Sequence, residues 1–240
     1  YFSEQGIEAF YANYLDNRFQ QKKLMDQREE MYLIDRDWVS LFVKGGKVLD
    51  VGCSGGFFLS KFDPAIWDRH GIEIAPDAAE LAHKHYNIPV RVGNIIDLEI
   101  EDRFDLVMMR GVIEHFRNPI DCLEKCASIL KPGGHLFITA TPAGDAFAFD
   151  VYREKWRLFT PLEHVHFFTV GLLNRILKPM NLAHVAHHYA YEETPYANPS
   201  EDFKKIQQDI ALIQQDREDQ VGLSGPFPGS MITALWKKQT

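Results

Sequence analysis

Apolar positions along the chain follow two rhythms. Short, nearly continuous apolar runs at Val48–Val51, Arg69–Ile74, Val90–Val92, Asp105–Met109 and His135–Thr139 read as strands buried on both faces. Between them, Gly55–Lys61, Asp77–Tyr86 and Ile120–Leu130 read as helices. Alternation of this kind predicts a parallel, doubly wound α/β sheet over a domain at 44–240. Residues 1–43 read as an aromatic helical cap. Ala9, Phe10, Tyr14 and Leu15 share helical spacing, a second stretch runs from about Gln20 to Val43, and Gly45-Gly46 end it.

After Pro142 the rhythm breaks. Residues 143–168, rich in aromatics and histidine, read as a long loop or lid. Thr169 is placed to cap a helix ending near Lys178-Pro179, and Leu182–Tyr191 reads as a strand carrying His184, His187 and His188 toward the surface. A helical insertion at 194–228 follows, with Phe203, Ile206, Ile210 and Ile213 on one stripe, before a closing strand at Ser230–Lys238.

Composition narrows the functional classes. The 240 residues are 45% hydrophobic and 25% charged, a globular balance. A net charge of -8 argues against nucleic acid or an anionic membrane as partner. Cys53, Cys122 and Cys126 are too few for a disulfide framework and fit a reducing, cytoplasmic compartment, with Cys122 and Cys126 read as helix core. No apolar run approaches the roughly 18 residues of a membrane span. A first residue of Tyr1 rather than Met reads as a trimmed chain and leaves room for a removed targeting segment.

Chemistry concentrates at Val48-Leu49-Asp50-Val51-Gly52-Cys53-Ser54-Gly55-Gly56. A buried strand carries a carboxylate near its end and passes into a glycine turn, which lets a ligand approach the backbone. Counting from Gly52, Ser54 and Phe57 occupy the later glycine places of a dinucleotide fingerprint, and no Gly-Lys-Ser/Thr follows for a phosphate loop. Asp50 suits a cationic ligand with a ribose and a base better than a pyrophosphate; a plain strand–helix turn is the alternative. Glu73, about 20 residues beyond the loop, can accept from ribose hydroxyls.

These residues resemble the first motif and ribose-binding acid of class I S-adenosylmethionine-dependent methyltransferases. Gly93–Leu98, Phe104–Pro119 and Leu130–Pro142 resemble the later motifs in the same order. More weakly, Pro161–Leu177 resembles the small-molecule branch that includes ubiquinone-type and sugar-modifying enzymes. The resemblance implies a Rossmann-like seven-stranded sheet with an antiparallel last strand. It implies S-adenosylmethionine as cofactor, with Asp50 at the methionine ammonium and Gly52, Cys53, Ser54 and Gly55 beneath the methionine and ribose. Glu73 would hold the ribose hydroxyls, and Ile74 and Ile95 would sandwich the adenine. Asn94 would stand where many relatives carry an adenine-binding Asp, and Arg110 and Gly111 would line the methionine by their backbone. In some quinone-type relatives an acid three residues before the Glu-His pair helps hold a metal; here that place is Gly111, so no metal is expected at Glu114-His115.

Methyl transfer to oxygen profits from a base near the methyl group. The candidates are His115, after the fourth strand, and His164 and His166, which flank Val165 and would face one way in an extended chain. Packed, non-catalytic histidines are the alternative for each. Tyr11, Tyr14 and Arg28 of the cap fit aromatic packing and a solvated charge. The expected activity is methylation of an oxygen or nitrogen of a small molecule by a monomer or homodimer. The alternatives are a protein or nucleic-acid methyltransferase, or a catalytically silent cofactor-binding subunit.

Overall fold

The computed structural model describes Gly6 and residues 22–240, with side chains from Arg28 onward. The first stretch of the expected cap, with Tyr11 and Tyr14, lies outside the described residues. Helix α1 (Lys22–Ser40) is followed by β1 (Gly46–Val51), β2 (Trp67–Glu73), α2 (Pro76–Tyr86), β3 (Val90–Val92), β4 (Phe104–Arg110), α3 (Pro119–Ile129) and β5 (Leu130–Pro142). Then come α4 (Phe147–Tyr152), α5 (Val170–Leu177), β6 (Leu182–His188), α6 (Pro199–Ile213) and β7 (Met231–Lys238).

The strands form one seven-stranded sheet in the order β3-β2-β1-β4-β5-β7-β6. All contacts among β1 to β5 are parallel, while β7 runs antiparallel between β5 and β6. This is the expected sheet, with the last strand inserted rather than added at the edge. Strand alternation sends side chains to two separate cores. Leu49, Val51, Val107, Met109, Leu136 and Ile138 face one, beside Cys122 and Cys126. Val48, Leu106, Met108, Phe137 and Leu235 face the other, against Val39 and Val43 of the α1 side.

On that helix, Met31, Asp35 and Val39 recur every four residues and are all buried, so an acid stands in the middle of an apolar row. Strand β5 carries an irregularity: Thr139 pairs with Thr233 and Thr141 with Ile232, leaving Ala140 (φ 56°) as the extra residue of a bulge.

Three expectations are corrected. Gly55–Lys61 is not a helix; only Leu59–Lys61 makes a short 3₁₀ turn. Gly56 takes φ 76° against Ala82, a conformation outside the helical region. The segment 143–168 contains α4, and Ala143, Ala148, Tyr152, Trp156 and Phe168 are buried in the larger core, so it is a built part of the domain. A parallel bridge between Ala143 and Phe168 closes its base. His188 is not a plain surface residue, since its ring stacks on Trp38 at 5.1 Å. Thr169 caps α5 as expected, its side chain accepting from the Leu172 N–H.

Candidate active site

Strands β3, β2, β1 and β4 present their carboxyl ends side by side, and strand order reverses between β1 and β4. Open α/β sheets bind ligands at that switch point. Asp50 and the Gly52–Gly55 loop, Glu73-Ile74, Asn94-Ile95 and Arg110-Gly111 all fall in this row.

The two acids of the row differ. Asp50 is 2% exposed, and no group among the described residues hydrogen-bonds its carboxylate. Burial raises its pKa well above the ordinary value, while Arg110 pulls it back. Burying a carboxylate is costly, and a cationic ligand beside it would offset that cost. Glu73 is satisfied by backbone: Oε2 accepts from Ser54 N at 2.8 Å, and Oε1 from Ile74 N at 2.8 Å and Ala75 N at 3.0 Å. Burial raises its pKa, and these three donors oppose the shift. With two lone pairs per oxygen, only Oε2 keeps acceptor capacity, less than the two hydroxyl contacts anticipated.

Glu73 therefore ties the glycine loop to the start of α2. In the loop, Gly52 sits at φ 72°, and a Cβ there would lie 2.8 Å from Val112 Cγ2. A protein contact, not only a ligand, thus demands glycine at this position. Cys53 fills the space over Gly71, and burial pushes its thiol pKa up, so it is an inert packing group. Ser54 takes φ 49° to turn its N–H onto Glu73, and a Cβ on Gly55 would strike Phe57 and Leu81. Asn94 is exposed and its Oδ1 accepts from Ile96 N at 3.2 Å. Ile74 is 41% exposed and offers an open apolar surface, whereas Ile95 is 1% exposed and belongs to the core.

Arg110 reaches further than its backbone. Its Nε donates to Asp35 Oδ2 at 2.8 Å, and its guanidinium lies 4.7 Å from the Tyr32 ring and 5.8 Å from that of Phe58. Asp35 Oδ1 also accepts from Thr139 Oγ1 at 2.8 Å, and Thr139 shares a hydrogen bond with Thr233. Asp35 was missed in the sequence, although an acid on the buried row of an amphipathic helix was its signal.

On the other side of β4, the 3₁₀ turn Ile113–His115 buries Glu114, whose Oε2 accepts from Thr141 Oγ1 at 3.1 Å. Burial pushes its pKa to about 7, opposed by hydrogen bonds from the backbone and Thr141 and by Arg110. The Glu114 carbonyl accepts from Val165 N and His166 N, docking the 143–168 segment onto the turn. His115 Nδ1 lies 2.8 Å from the Glu163 carbonyl, a contact that needs the proton on Nδ1 and fixes Nε2 as the basic nitrogen of the neutral ring. That Nε2 is 4.0 Å from Glu114 Oε1.

The His164 ring lies 5.0 Å from that of His115, with Nδ1 2.9 Å from the Leu158 carbonyl. Glu114, His115 and His164 each offer one ligand atom within 4.8 Å of the others. Two imidazoles and a carboxylate are donors that a zinc-type ion accepts. The fold thus supplies a third group that the spacing of Glu114-His115 did not show. His166 parts from the pair: its ring packs 5.9 Å from Phe168, and its Nε2 is buried without a partner.

A doubly wound sheet of this order, with a buried acid on β1, a glycine loop held by the β2 acid and a Glu-His turn after β4, defines a class I S-adenosylmethionine-dependent methyltransferase. The family described as a methyltransferase domain matches residues 17–187, and the chain belongs to it, with S-adenosylmethionine as methyl donor. A ubiquinone biosynthesis O-methyltransferase of Xanthomonas campestris pv. campestris (strain B100) is 35% identical over 114 residues, 43% of this chain and 48% of that protein. The chain spans about half the length of the curated relatives it matches.

Among solved structures, a methyltransferase from Thermotoga maritima is 16% identical with a TM-score of 0.66, covering 97% of this chain and 100% of that one. Magnesium protoporphyrin IX methyltransferase from Synechocystis PCC 6803, solved with bound S-adenosylhomocysteine, is 13% identical with a TM-score of 0.66, covering 99% and 100%. Both likenesses are of fold. No helix among the described residues is long and apolar enough to cross a membrane.

Proposed function

We propose that the protein transfers the methyl group of S-adenosylmethionine to an oxygen or nitrogen of a small molecule in the cytoplasm. The observation that carries the acceptor side is the junction of His115, His164 and buried Glu114 beside the carboxyl end of β4. It supplies proton-accepting groups next to the row of residues suited to the donor. The small-molecule class is supported by the ubiquinone-pathway relative and by the acidic charge balance.

S-adenosylmethionine, when bound, supplies an electrophilic methyl on a sulfonium, and the displacement needs alignment more than covalent help. Positioning of this kind can contribute about 7–11 kcal/mol. Asp50 would orient the methionine ammonium, the free lone pair of Glu73 Oε2 one ribose hydroxyl, and Ile74 one face of the adenine. Gly52, Cys53, Ser54 and Gly55 would shape the loop beneath, with Asn94 at the adenine edge and Gly111 at the methionine. His115 Nε2 would take the acceptor's proton, with Glu114 stabilising the imidazolium and His164 or His166 closing the pocket.

Incubation with methyl-labelled donor and a panel of phenols, sugars and amines, followed by mass spectrometry, tests the reading. Label entering a small molecule supports it. Label entering only protein or nucleic acid replaces it. Tight binding of S-adenosylhomocysteine with no turnover on any acceptor class favours the silent subunit.

A further inference from the structure

Among the described residues, three buried side-chain polar atoms make no hydrogen bond: His166 Nε2, His188 Nε2 and Ser230 Oγ. His188 stands apart, since it pairs with Thr233 on the α1 side and its ring is stacked on Trp38. Ser230 and His166 belong together. Strand β7 runs antiparallel to β5, so the residue before it meets the end of β5, and the Ala143 N–H donates to the Ser230 carbonyl at 3.0 Å. On its other side Ala143 bridges to Phe168, whose ring lies 5.9 Å from that of His166.

The same strand end touches the acceptor side of the site. The His166 N–H donates to the Glu114 carbonyl, and the Glu114 carboxyl accepts from Thr141, two residues before Ala143. Ser230 is only 8% exposed, so its hydroxyl is not simply solvated. Folded chains pair nearly all of their buried polar groups, because an unpaired one is costly. Two such groups at one strand end, next to the candidate base, are complementary to a ligand that completes them.

Their chemistry defines that ligand. A serine hydroxyl both gives and accepts hydrogen bonds, and a neutral imidazole Nε2 gives or accepts according to its tautomer. Neither carries a fixed charge, so an ionic group buried against them would go uncompensated. A hydroxyl, which also gives and accepts, matches both.

We propose that Ser230 Oγ and His166 Nε2 form an acceptor subsite for a hydroxyl other than the one methylated, which makes the preferred acceptor a neutral molecule with two or more hydroxyls. The proposal rests on the small-molecule reading above and adds a specificity role for Ser230, a residue that no motif singled out. Phe168 and Ala143 hold the two groups on either side of the strand end.

Two matched pairs of acceptors test it with methyl-labelled donor: phenol with catechol, and cyclohexanol with its vicinal diol. The wild-type chain should show kcat/KM about tenfold higher for each diol than for its mono-ol. Ser230→Ala and His166→Ala should each bring that ratio towards one, mainly through KM, with S-adenosylhomocysteine affinity in calorimetry unchanged. Diols turned over no better than mono-ols, or a ratio that survives both substitutions, overturn the proposal and leave the small-molecule reading in place. Label entering only protein or nucleic acid fails that reading instead. A second measurement needs no acceptor: Ser230→Ala should leave the melting temperature of the chain unchanged or raise it, because no hydrogen bond is lost. A fall of several degrees gives the hydroxyl a structural partner and overturns the proposal.

Discussion

At the ends of β1 and β2 the protein prepares for a ligand with backbone and two acids close in sequence: three N–H groups converge on Glu73, and Asp50 waits buried beside a glycine turn. Beyond β4 and β5 it relies on side chains brought from far apart, with His164 set against His115 and Glu114 held by Thr141. The first arrangement suits a ligand of fixed shape, since main-chain geometry leaves little to vary. The second suits a reacting group whose identity can change by exchanging a few side chains. One fold can thus keep its donor and change its acceptor, which is how a shared scaffold carries many reactions.

The largest effect should come from breaking the backbone half. Gly52→Val places a β-branched residue at φ 72° and drives its Cβ against Val112. The left-handed conformation alone costs roughly 1–2 kcal/mol. S-adenosylhomocysteine binding should vanish in calorimetry while far-UV circular dichroism stays close to wild type. Normal affinity would show that the loop tolerates displacement and that the backbone is not the binding element.

Next comes the side-chain half. His115→Ala should lower turnover by about 10²–10⁴, the range for lost acid–base help, with S-adenosylhomocysteine affinity nearly unchanged. His166→Ala should do less, because its ring packs on Phe168 and it is not one of the grouped donors Glu114, His115 and His164. If instead dialysis against a chelator abolishes turnover and zinc restores it, then Glu114, His115 and His164 serve as ligands rather than as bases.

A smaller effect should separate the two acids at the ends of β1 and β2. Asp50→Asn should weaken S-adenosylhomocysteine binding by about tenfold to a hundredfold. It should also raise the melting temperature of the ligand-free chain, since a desolvated carboxylate has been removed. If affinity and stability fall together, Asp50 is a structural group.

The subtlest test uses pH. Glu114 titrates near 7 in the folded chain against an ordinary value of 4.5, because it is buried. The folded chain keeps a proton that the unfolded chain has released across that window. Its contribution to stability is therefore full below the ordinary value and is lost as pH rises through the folded one, on the order of 3 kcal/mol in all. Glu114→Gln retains an oxygen for Thr141 and should flatten the urea midpoint between about pH 5 and 7. An unchanged slope would assign the pH dependence to another group.

The placement of the strand-end acids and the glycine turn was legible in the sequence because these are local features. Asp50, Glu73 and the strands that carry them fall where the apolar runs place them. Gly55–Lys61 misled because its apolar residues, Phe58 and Leu59, mimic a helix while Gly56 needs a backbone that a helix forbids. The segment 143–168 misled in the opposite sense. Its aromatics obey no period because Trp156 and Phe168 fill a core built by distant strands. The pairing of Asp35 with Arg110, and of His164 with His115, joins residues remote along the chain, and no spacing rule reaches that far.

The single extra residue in β5 has a consequence for how this chain can change its length. Side chains on a strand obey odd–even parity, so Thr139 and Thr141 should serve the same side of the sheet. Ala140 resets the parity. Thr139 pairs with Thr233 on the α1 side and bonds Asp35, while Thr141 pairs with Ile232 on the opposite side and bonds Glu114. Deleting Ala140 would make Thr139 and Thr141 neighbours in a regular strand, which alternation sends to opposite sides, so both would keep their partners; drawing Ala140 into the ladder instead would turn Thr141 away from Glu114. Loss of the bulge residue is thus the one change of length in this strand that leaves both threonine contacts in place.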